Sequence, residues 1–359
     1  MFWKLVVYLK SVIRSITGMR LLSLLLSLLL ASGFEFYSLF DNTYKTRHSY
    51  KYSNEWSDSV NNTTTDWFHN SKYGIFVHYL YTTKEDFESF NAQAFAAAVN
   101  ETGAKYAVIT LGQNSGYFCS PNAAYEQYIG VQAGTFCSTR DIPMEAADAL
   151  AQYGIKLMLY LPSQGPSAAG DDIPLALGAT ERHDETNWFI NKIYAERWSQ
   201  VIREWAVRYG GKVAGWWFDG FYEATGYTGA MADYVSKLYK DACRAGNASS
   251  LVAFNQGVMN GFIKPATAVC DYTAGEENSF EFYPSARFYA GAQWHILSYL
   301  GSWWGATDLK YESGYLPEYA SKVLASGGVI TFEIHINADG SFSKVQTDEL
   351  QLVKKEIYH

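Results

Sequence analysis

The sequence predicts an α/β protein, a single-domain (β/α)8 barrel of the TIM type, and two observations lead to this prediction. The chain of 359 residues is long enough for one barrel of roughly 250 residues. From residue 66 onward, eight short apolar runs alternate with amphipathic stretches, and eight parallel strands with intervening helices close into such a barrel. An open doubly wound sheet is the alternative, but neither a Gly-x-Gly-x-x-Gly motif nor a phosphate-binding loop follows the first run.

Each apolar run is short and bounded by turn-forming residues, which is typical of strands buried on both faces of a parallel sheet. In chain order, the predicted strands are Tyr73–Tyr79, Tyr106–Leu111, Ile155–Leu161, Val213–Asp219, Leu251–Asn255, Ala268–Tyr272, Trp294–Leu300 and Gly328–Ile334. The amphipathic stretches predict helices over Phe90–Val99, Pro143–Tyr153, Trp188–Tyr209, Met231–Ala245 and Lys344–Ile357. Only the last of these helices fits after the final strand, so no C-terminal β-sandwich is predicted.

The N-terminal region predicts a targeting segment that is separate from the barrel. Leu21–Ala31 is almost purely leucine and follows Arg14 and Arg20, which is the pattern of a signal peptide. At about eleven residues, the run is too short to cross a bilayer comfortably. Residues 1–33 are therefore predicted to be a signal peptide, and an uncleaved signal anchor is the alternative.

The remaining domain organisation follows from these boundaries. Residues 34–65 are polar and weakly periodic, and we expect them to form a lead-in or stem. Residues 66–359 form the predicted barrel domain. We expect a secreted, extracellular protein, or a membrane-anchored one if the N-terminal segment is retained.

Two further features agree with secretion. Acceptor sequons for N-glycosylation begin at Asn61, Asn62, Asn100 and Asn247. In an oxidising compartment, three disulfide pairings are open to the four cysteines Cys119, Cys137, Cys243 and Cys270. A disulfide between Cys119 and Cys137 is favoured because the two residues lie near each other in sequence, and buried thiols are the alternative.

Composition and charge exclude several classes of partner. The formal net charge is −8 and no basic run occurs, which argues against nucleic acid. Neither Cys-x-x-Cys nor His-x-x-x-His spacing is present, so no metal is predicted, and no cofactor is expected. Aromatic residues make up 17% of the chain. Aromatic rings pack against the C–H faces of sugars, so this content is consistent with a carbohydrate ligand, with an aromatic core as the alternative.

The fourth predicted strand ends in a carboxylate. Side chains alternate along a strand, so Val213, Gly215, Trp217 and Asp219 are expected to share one face. Catalytic groups of TIM barrels lie at the carboxyl ends of the strands, which makes Asp219 a candidate nucleophile. The alternative is an aspartate that caps the following helix.

Six motifs occur in the order in which one enzyme family carries them. They are Trp67–Tyr79, Gly103–Thr110, Arg140–Asp141 with Gly154–Tyr160, Trp217–Gly220, Gly301–Gly305, and Gly327–Gly328 with Ala338–Gly340. Together they resemble glycoside hydrolase family 29, the α-L-fucosidases, over residues 66–341.

This resemblance implies a retaining exo-glycosidase. Asp219 is expected to be the nucleophile that forms a covalent glycosyl-enzyme. The segment Asp271–Glu276 is similar to the one that carries the general acid/base in many relatives, so Glu276 is the favoured acid/base. Glu277 and Glu281 lie in the same acidic segment, and Glu277 is an alternative.

Glu333 is a further candidate for the proton donor. It ends the last predicted strand and shares the inward face with Thr331, at a position where relatives usually carry asparagine. A carboxyl group buried at a barrel mouth tends to have a raised pKa, which suits a general acid. The alternative is a structural partner for a nearby cation.

The predicted substrate-binding residues lie at strand ends or in the loops that follow them. His78 corresponds to a sugar-binding histidine of the family. The others are Tyr160, Trp217, Asn255, Trp303 and Trp304.

One departure from the family pattern concerns the segment after the second strand. Relatives carry paired histidines there, whereas this chain has Gln113 and Asn114. Amides donate and accept hydrogen bonds but do not titrate, so both residues are predicted to hold sugar hydroxyls.

Three hypotheses follow. The first is an α-L-fucosidase that acts on fucosylated glycans. The second is an exo-glycosidase of the same scaffold for another sugar, as Gln113 and Asn114 would favour. The third is a barrel that binds glycans without turnover. A carbohydrate is the expected partner in all three.

Overall fold

The computed structural model describes residues 62–312 and 314–358. The predicted signal segment and most of the predicted stem therefore lie outside the described residues, as does the sequon at Asn61. Within the described ranges, no helix is long and apolar enough to cross a membrane.

Helices and strands alternate along the described chain. The helices are α1 Asp66–Ser71, α2 Lys84–Ser89, α3 Ala92–Thr102, α4 Ala123–Ile129, α5 Ile142–Ala151, α6 Asp172–Ala176, α7 Lys192–Tyr209, α8 Gly229–Arg244, α9 Tyr315–Ala325 and α10 Lys344–Tyr358. The strands are β1 Tyr73–Val77, β2 Tyr106–Thr110, β3 Lys156–Pro162, β4 Val213–Asp219, β5 Leu251–Phe254, β6 Phe288–Tyr289, β7 Ala292–Gln293, β8 His295–Tyr299 and β9 Val329–Glu333.

Seven of the strands form one parallel sheet in the order β5-β4-β3-β2-β1-β9-β8. The first and last strands, β1 and β9, are neighbours in register, with Phe76 opposite Glu333. A parallel sheet in which the first and last strands pair is curled, in the manner of a TIM barrel. The short strands β6 and β7 form a separate antiparallel pair.

The prediction of a sixth barrel strand over Ala268–Tyr272 was wrong. Residues 271–277 cross from β5 to β8 by isolated contacts: the Asp271 N–H donates to the Val252 carbonyl, and Glu276 forms a single bridge with Leu297. The predicted strand does not form because residues 268–269 make a turn, in which the Cys270 N–H donates to the Thr267 carbonyl at 3.2 Å. Further along, Gly275 has a φ of 68°, and a Cβ at this position would lie 2.0 Å from the His295 carbonyl oxygen. The other seven predicted strands are confirmed within one or two residues of their bounds.

The two faces of the sheet carry separate apolar clusters. One face packs against the helices in the larger cluster. The other face carries a smaller cluster that includes Phe76, Tyr160, Trp217 and Leu297. The tryptophan predicted to lie beside Asp219 on one face of β4 thus belongs to this inner cluster.

A register shift modifies the start of β4. Leu157 pairs with Val213, but the next residue, Met158, pairs with Gly215. The extra residue reverses the alternation, so Val213 packs in the outer cluster, and the prediction that it shares a face with Trp217 was wrong.

The four cysteines are buried and free, so the predicted Cys119–Cys137 disulfide is not formed. Phe118 pairs with Cys137, and paired residues point to the same side of a sheet. Cys119 is the next residue along the chain and therefore points to the opposite side. Its Sγ instead donates to the Thr110 carbonyl at 3.4 Å.

Candidate active site

A pocket of about 460 Å³ lies at the carboxyl ends of the parallel strands. Its walls include eight of the residues singled out from the sequence: His78, Gln113, Tyr160, Trp217, Asp219, Glu276, Trp304 and Glu333. These residues are far apart in the chain and meet because the carboxyl ends of parallel strands lie at one edge of the sheet.

Asp219 is the last residue of β4 and is partly exposed to the pocket. Its Oδ2 accepts from the Tyr160 hydroxyl at 2.7 Å. Its Oδ1 accepts from the Gly220 N–H at 2.8 Å and from Asn255 Nδ2 at 2.9 Å. Three donors therefore fix the carboxylate. Asp219 does not cap a helix, because the N-caps of the helical segments that follow are Tyr222 and Thr228.

Gly220 is required directly after this carboxylate. Its φ is 71°, a left-handed conformation that costs a residue with a Cβ free energy. This turn directs the Gly220 N–H back onto Asp219, the residue before it.

Asn255 connects the two predicted catalytic carboxylates. Its Nδ2 donates to Asp219 Oδ1 and also to Glu276 Oε2, at 2.5 Å. Its Oδ1 accepts from the Gly257 N–H at 3.1 Å, which fixes the orientation of the amide. Asn255 is buried and does not line the pocket, so the structure places it behind the carboxylates rather than in the wall.

Glu276 has the environment of a proton donor. Burial raises the pKa of its carboxyl group to about 7, and the negative charge of Asp219 contributes to the rise. The hydrogen bond from Asn255 acts in the opposite direction, because it stabilises the charged form. A carboxyl group with a pKa near neutrality can both give and take a proton.

Glu277 points away from the pocket. Its side chain is buried and Oε1 accepts from the Gly261 N–H at 2.7 Å. Burial raises its pKa to about 7 as well. Glu277 therefore has a raised pKa like that of Glu276 but does not line the pocket. Glu281, the third glutamate of this segment, is exposed and does not line the pocket either.

Glu333 is fully buried in the pocket wall and joins two other parts of that wall. Its Oε1 lies 3.1 Å from Nδ1 of His78 and accepts from the Gly305 N–H at 2.8 Å. Because Nδ1 of His78 hydrogen bonds to this carboxylate, its other ring nitrogen, Nε2, is available to a ligand. The other oxygen, Oε2, is buried without a hydrogen-bond partner.

Two other predicted substrate-binding residues are not in the pocket wall. The Asn114 carbonyl accepts from the Ala168 N–H at 2.9 Å, which ties two loops together. Trp303 is 61% exposed and lies outside the wall, next to Trp304, which lines it.

Several pocket residues were not identified from the sequence, among them Phe76, Leu80, Tyr81, Gly305 and His335. Strand alternation could have found two of them. Phe76 is two residues before His78, and His335 is two residues after Glu333, so each shares a face with a residue that was identified. His335 Nδ1 lies 2.8 Å from the Gly305 carbonyl and helps to hold that loop.

In the part of the chain that the structure describes, no group of three or more His, Cys, Asp or Glu side chains could hold a metal ion. Asn255 links the carboxylates of Asp219 and Glu276, and aromatic side chains line the pocket around them. The Tyr160 and Trp217 rings stack 5.4 Å apart in the pocket wall.

Most of the chain is similar to one family of known proteins. Residues 81–355 match the family model described as Alpha-L-fucosidase. No curated protein sequence is detectably similar to the chain.

Three solved structures illustrate the structural similarity. The endo-fucoidan hydrolase MfFcnA4, of glycoside hydrolase family 107, is 16% identical with a TM-score of 0.64, and the match covers 81% of this chain and 53% of that one. The α-L-fucosidase AlfC from Lactobacillus casei, in complex with α-L-fucose, is 16% identical with a TM-score of 0.53, covering 82% and 98%. The α-L-fucosidase isoenzyme 1 from Paenibacillus thiaminolyticus is 20% identical with a TM-score of 0.55, covering 81% and 74%.

These identities show a shared fold. The chain spans about half the length of MfFcnA4, which has the highest TM-score of these three structures.

Proposed function

Because the chain belongs to the α-L-fucosidase family and is a glycoside hydrolase, we propose that it is a retaining exo-glycosidase that releases terminal α-L-fucose from glycans. The observation that carries this proposal is the pair of carboxylates, Asp219 and Glu276, that share one amide donor at the edge of the pocket.

The proposed reaction has two steps. In the first, a carboxylate oxygen of Asp219 attacks the anomeric carbon while the bond to the aglycone oxygen breaks, and Glu276 gives its proton to that oxygen. In the second, Glu276 takes a proton from water, whose oxygen attacks the same carbon and displaces Asp219. Two inversions give a product with retained configuration.

The separation of the two carboxylates supports retention. One oxygen of Asp219 and one of Glu276 accept from the same nitrogen, at 2.9 and 2.5 Å. The distance between these oxygens is therefore no greater than the roughly 5.5 Å that is typical of retaining pairs. An inverting enzyme needs a wider gap to hold water between the two groups.

The pocket wall suits a deoxy sugar. α-L-Fucose carries a methyl group where most hexoses carry a hydroxymethyl group, and Phe76, Trp217 and Leu297 provide apolar contact for it. Gln113 and Nε2 of His78 are available for the sugar hydroxyls.

Closure of the barrel belongs to the same proposal. Residues 271–277 hydrogen bond to Val252 on one side and to β8 on the other. We infer that they close the barrel between β5 and β8, in the place of its sixth strand. An irregular segment at this position brings Glu276 to the edge of the pocket, opposite Asp219.

An aryl glycoside panel tests the function. Purified protein covering residues 34–359 is assayed on α-L-fucoside and on aryl glycosides of other sugars, and NMR follows the anomer released first. Turnover of the α-L-fucoside with the α-anomer formed first supports the proposal. Turnover of another sugar alone favours the second hypothesis, for which the amide Gln113 in the wall is the supporting observation. Binding without turnover contradicts hydrolysis altogether.

Secretion and N-glycosylation stay predictions from the sequence. Mass spectrometry of the N-terminus of protein recovered from the culture medium and from the membrane fraction distinguishes cleavage near residue 33 from a retained anchor.

A further inference from the structure

The proposed chemistry determines on which side of the pocket the leaving group lies. Glu276 protonates the oxygen of the scissile bond, so the sugar on the far side of that bond must lie next to Glu276. The surface on that side of the pocket is therefore where the remainder of a glycan would bind.

Strand β8 leads from Glu276 to this surface. Glu276 forms a bridge with Leu297, which lines the pocket. Tyr299 lies two residues further along β8, on the same face and at its carboxyl end. Burial raises the pKa of the Tyr299 hydroxyl and the charge of Glu276 adds to the rise, in keeping with the closeness of the two groups.

Two tryptophans extend this surface outward from the pocket. The Tyr299 ring lies 4.9 Å from the ring of Trp304 and 5.4 Å from that of Trp303. Trp304 lines the pocket, whereas Trp303 is 61% exposed, the most exposed large apolar side chain in the described ranges. The rings of Tyr299, Trp303 and Trp304 therefore form a continuous aromatic surface that leads out of the pocket, and contiguous apolar surface at a cleft indicates an interaction site.

The loop that carries Trp303 is firmly held, so the exposure is not that of a loose segment. The Gly305 N–H donates to the buried Glu333, and the Ser302 N–H donates to Asp308 at 2.9 Å. Gln346 Nε2 donates to the carbonyls of Ala306 and Asp308, at 2.8 and 2.7 Å. The backbone on both sides of Trp303 is thus fixed before any ligand arrives, which lowers the entropic cost of binding.

We propose that Trp303 is the platform of an aglycone subsite, on which the sugar next to the terminal fucose stacks through its C–H face. The Tyr299 ring packs against the Trp303 ring. Lys310 Nζ lies 3.5 Å from the centroid of the Tyr299 ring and holds that ring in place. The subsite rests on the proposed fucosidase activity. It takes a pyranose of the glycan and therefore favours glycan substrates over simple fucosides.

Two substrates distinguish an effect on binding at this subsite from an effect on the catalytic residues. α-L-Fucosyl fluoride has no sugar aglycone, whereas a fucosyl disaccharide places its second sugar on Trp303. The disaccharide used is the one that the wild-type protein hydrolyses fastest in a panel of linkages. Three variants are compared with the wild type: Trp303→Ala, Trp303→Phe, which keeps a ring, and Tyr153→Ala. Tyr153 is a 43% exposed aromatic residue between α5 and β3, at the opposite edge of the sheet, and it controls for the loss of a surface ring.

The expected result is a loss of activity on the disaccharide relative to the fluoride. Trp303→Ala lowers kcat/KM for the disaccharide by about threefold to tenfold, mostly through KM, because the variant loses a stacking contact worth about 0.7–1.4 kcal/mol. The ratio of disaccharide to fluoride kcat/KM falls by the same factor. Trp303→Phe retains most of that ratio, and Tyr153→Ala leaves it at the wild-type value.

Equal losses on both substrates, or an unchanged ratio in Trp303→Ala, overturn the subsite. Failure of the proposed function looks different: the wild-type protein then hydrolyses neither the fluoride nor any disaccharide. A wild type that is active on both, with a Trp303→Ala variant of unchanged ratio, overturns the subsite alone.

Discussion

Glu276 and Glu277 are adjacent in the chain, and burial raises the pKa of both to about 7, but only Glu276 lines the pocket. Glu276 must carry its proton for the first step, so kcat/KM is expected to fall as the pH rises through about 7. Glu276→Gln should lose activity on poor leaving groups by about 10²-fold or more and lose far less on activated aryl fucosides. Rates measured against leaving-group pKa and pH check this, since the variant should lack the alkaline fall. An alkaline fall that persists in Glu276→Gln places the acid elsewhere.

Glu277 provides a matched control with a different outcome. Its pKa in the folded protein is raised by burial, so it contributes stability that is complete below about pH 4.5 and is lost as the pH rises through about 7. Glu277→Gln keeps an oxygen for the Gly261 N–H and removes the charge. The variant should therefore have a higher Tm than the wild type at about pH 8, a smaller difference at about pH 5, and unimpaired hydrolysis. A Tm difference that is equal at both pH values contradicts this account of Glu277.

Glu333 is expected to be a positioning residue rather than the acid. Glu333→Ala leaves the Gly305 N–H and His78 Nδ1 without their buried acceptor, so KM should rise by about tenfold or more. Glu333→Gln should raise KM less, because its amide oxygen can still accept a hydrogen bond. Steady-state kinetics against pH distinguish the two roles. If Glu333→Gln removes the alkaline fall in kcat/KM, Glu333 is the proton donor and the assignment to Glu276 is wrong.

Among individual residues, the sequence could predict those that end strands. Asp219, His78, Tyr160 and Glu333 all follow from the rule that functional groups lie at the carboxyl ends of parallel strands. The contact between His78 and Glu333 could not be predicted, because it depends on the register of the paired first and last strands, which a closed barrel alone does not determine. The exposure of Trp303 likewise depends on how its loop is fixed, which has no local signature.

At the scale of elements, alternation of apolar runs and amphipathic stretches was enough to locate seven strands. It failed where backbone geometry overrides hydrophobicity. A turn in which the Cys270 N–H donates to the Thr267 carbonyl breaks the segment that was expected to be a strand. The register shift near Met158 turns Val213 outward. The cysteine pairing failed for a related reason, since neighbouring residues in extended backbone point to opposite sides.

The segment that carries Glu276 is anchored at its start by Asp271. This side chain is buried and accepts from Lys240, Arg244 and the Val252 N–H, which ties α8 and β5 to the segment. Asp271→Asn should lower the free energy of unfolding by about 3 kcal/mol, because it breaks a buried ion-pair network. Urea denaturation measures the change.

The same helix offers the control. Lys237 on α8 forms an exposed pair with Asp241, and its replacement by alanine should cost about 0.5 kcal/mol or less. Equal losses in Asp271→Asn and Lys237→Ala contradict the anchoring role.

At the scale of the whole molecule, the site exists only because the sheet curls. Its residues run from His78 on the first-strand side to Glu333 on the last strand, and none of the contacts between Asp219, Asn255 and Glu276 is local in sequence. The fold therefore assembles the carboxylate pair and the surrounding wall together. The chain belongs to the α-L-fucosidase family, and we propose that its covalent intermediate forms on Asp219, at the end of β4.

Trapping that intermediate tests the central claim most directly. 2-Deoxy-2-fluoro-α-L-fucosyl fluoride carries a good leaving group, and its 2-fluorine slows the second step, so a retaining fucosidase accumulates the glycosyl-enzyme. After digestion, mass spectrometry should find one fluorofucosyl group on the peptide that contains Asp219, and fragmentation should locate it on that side chain. Label on a different residue, or none on protein that hydrolyses fucosides, contradicts the account.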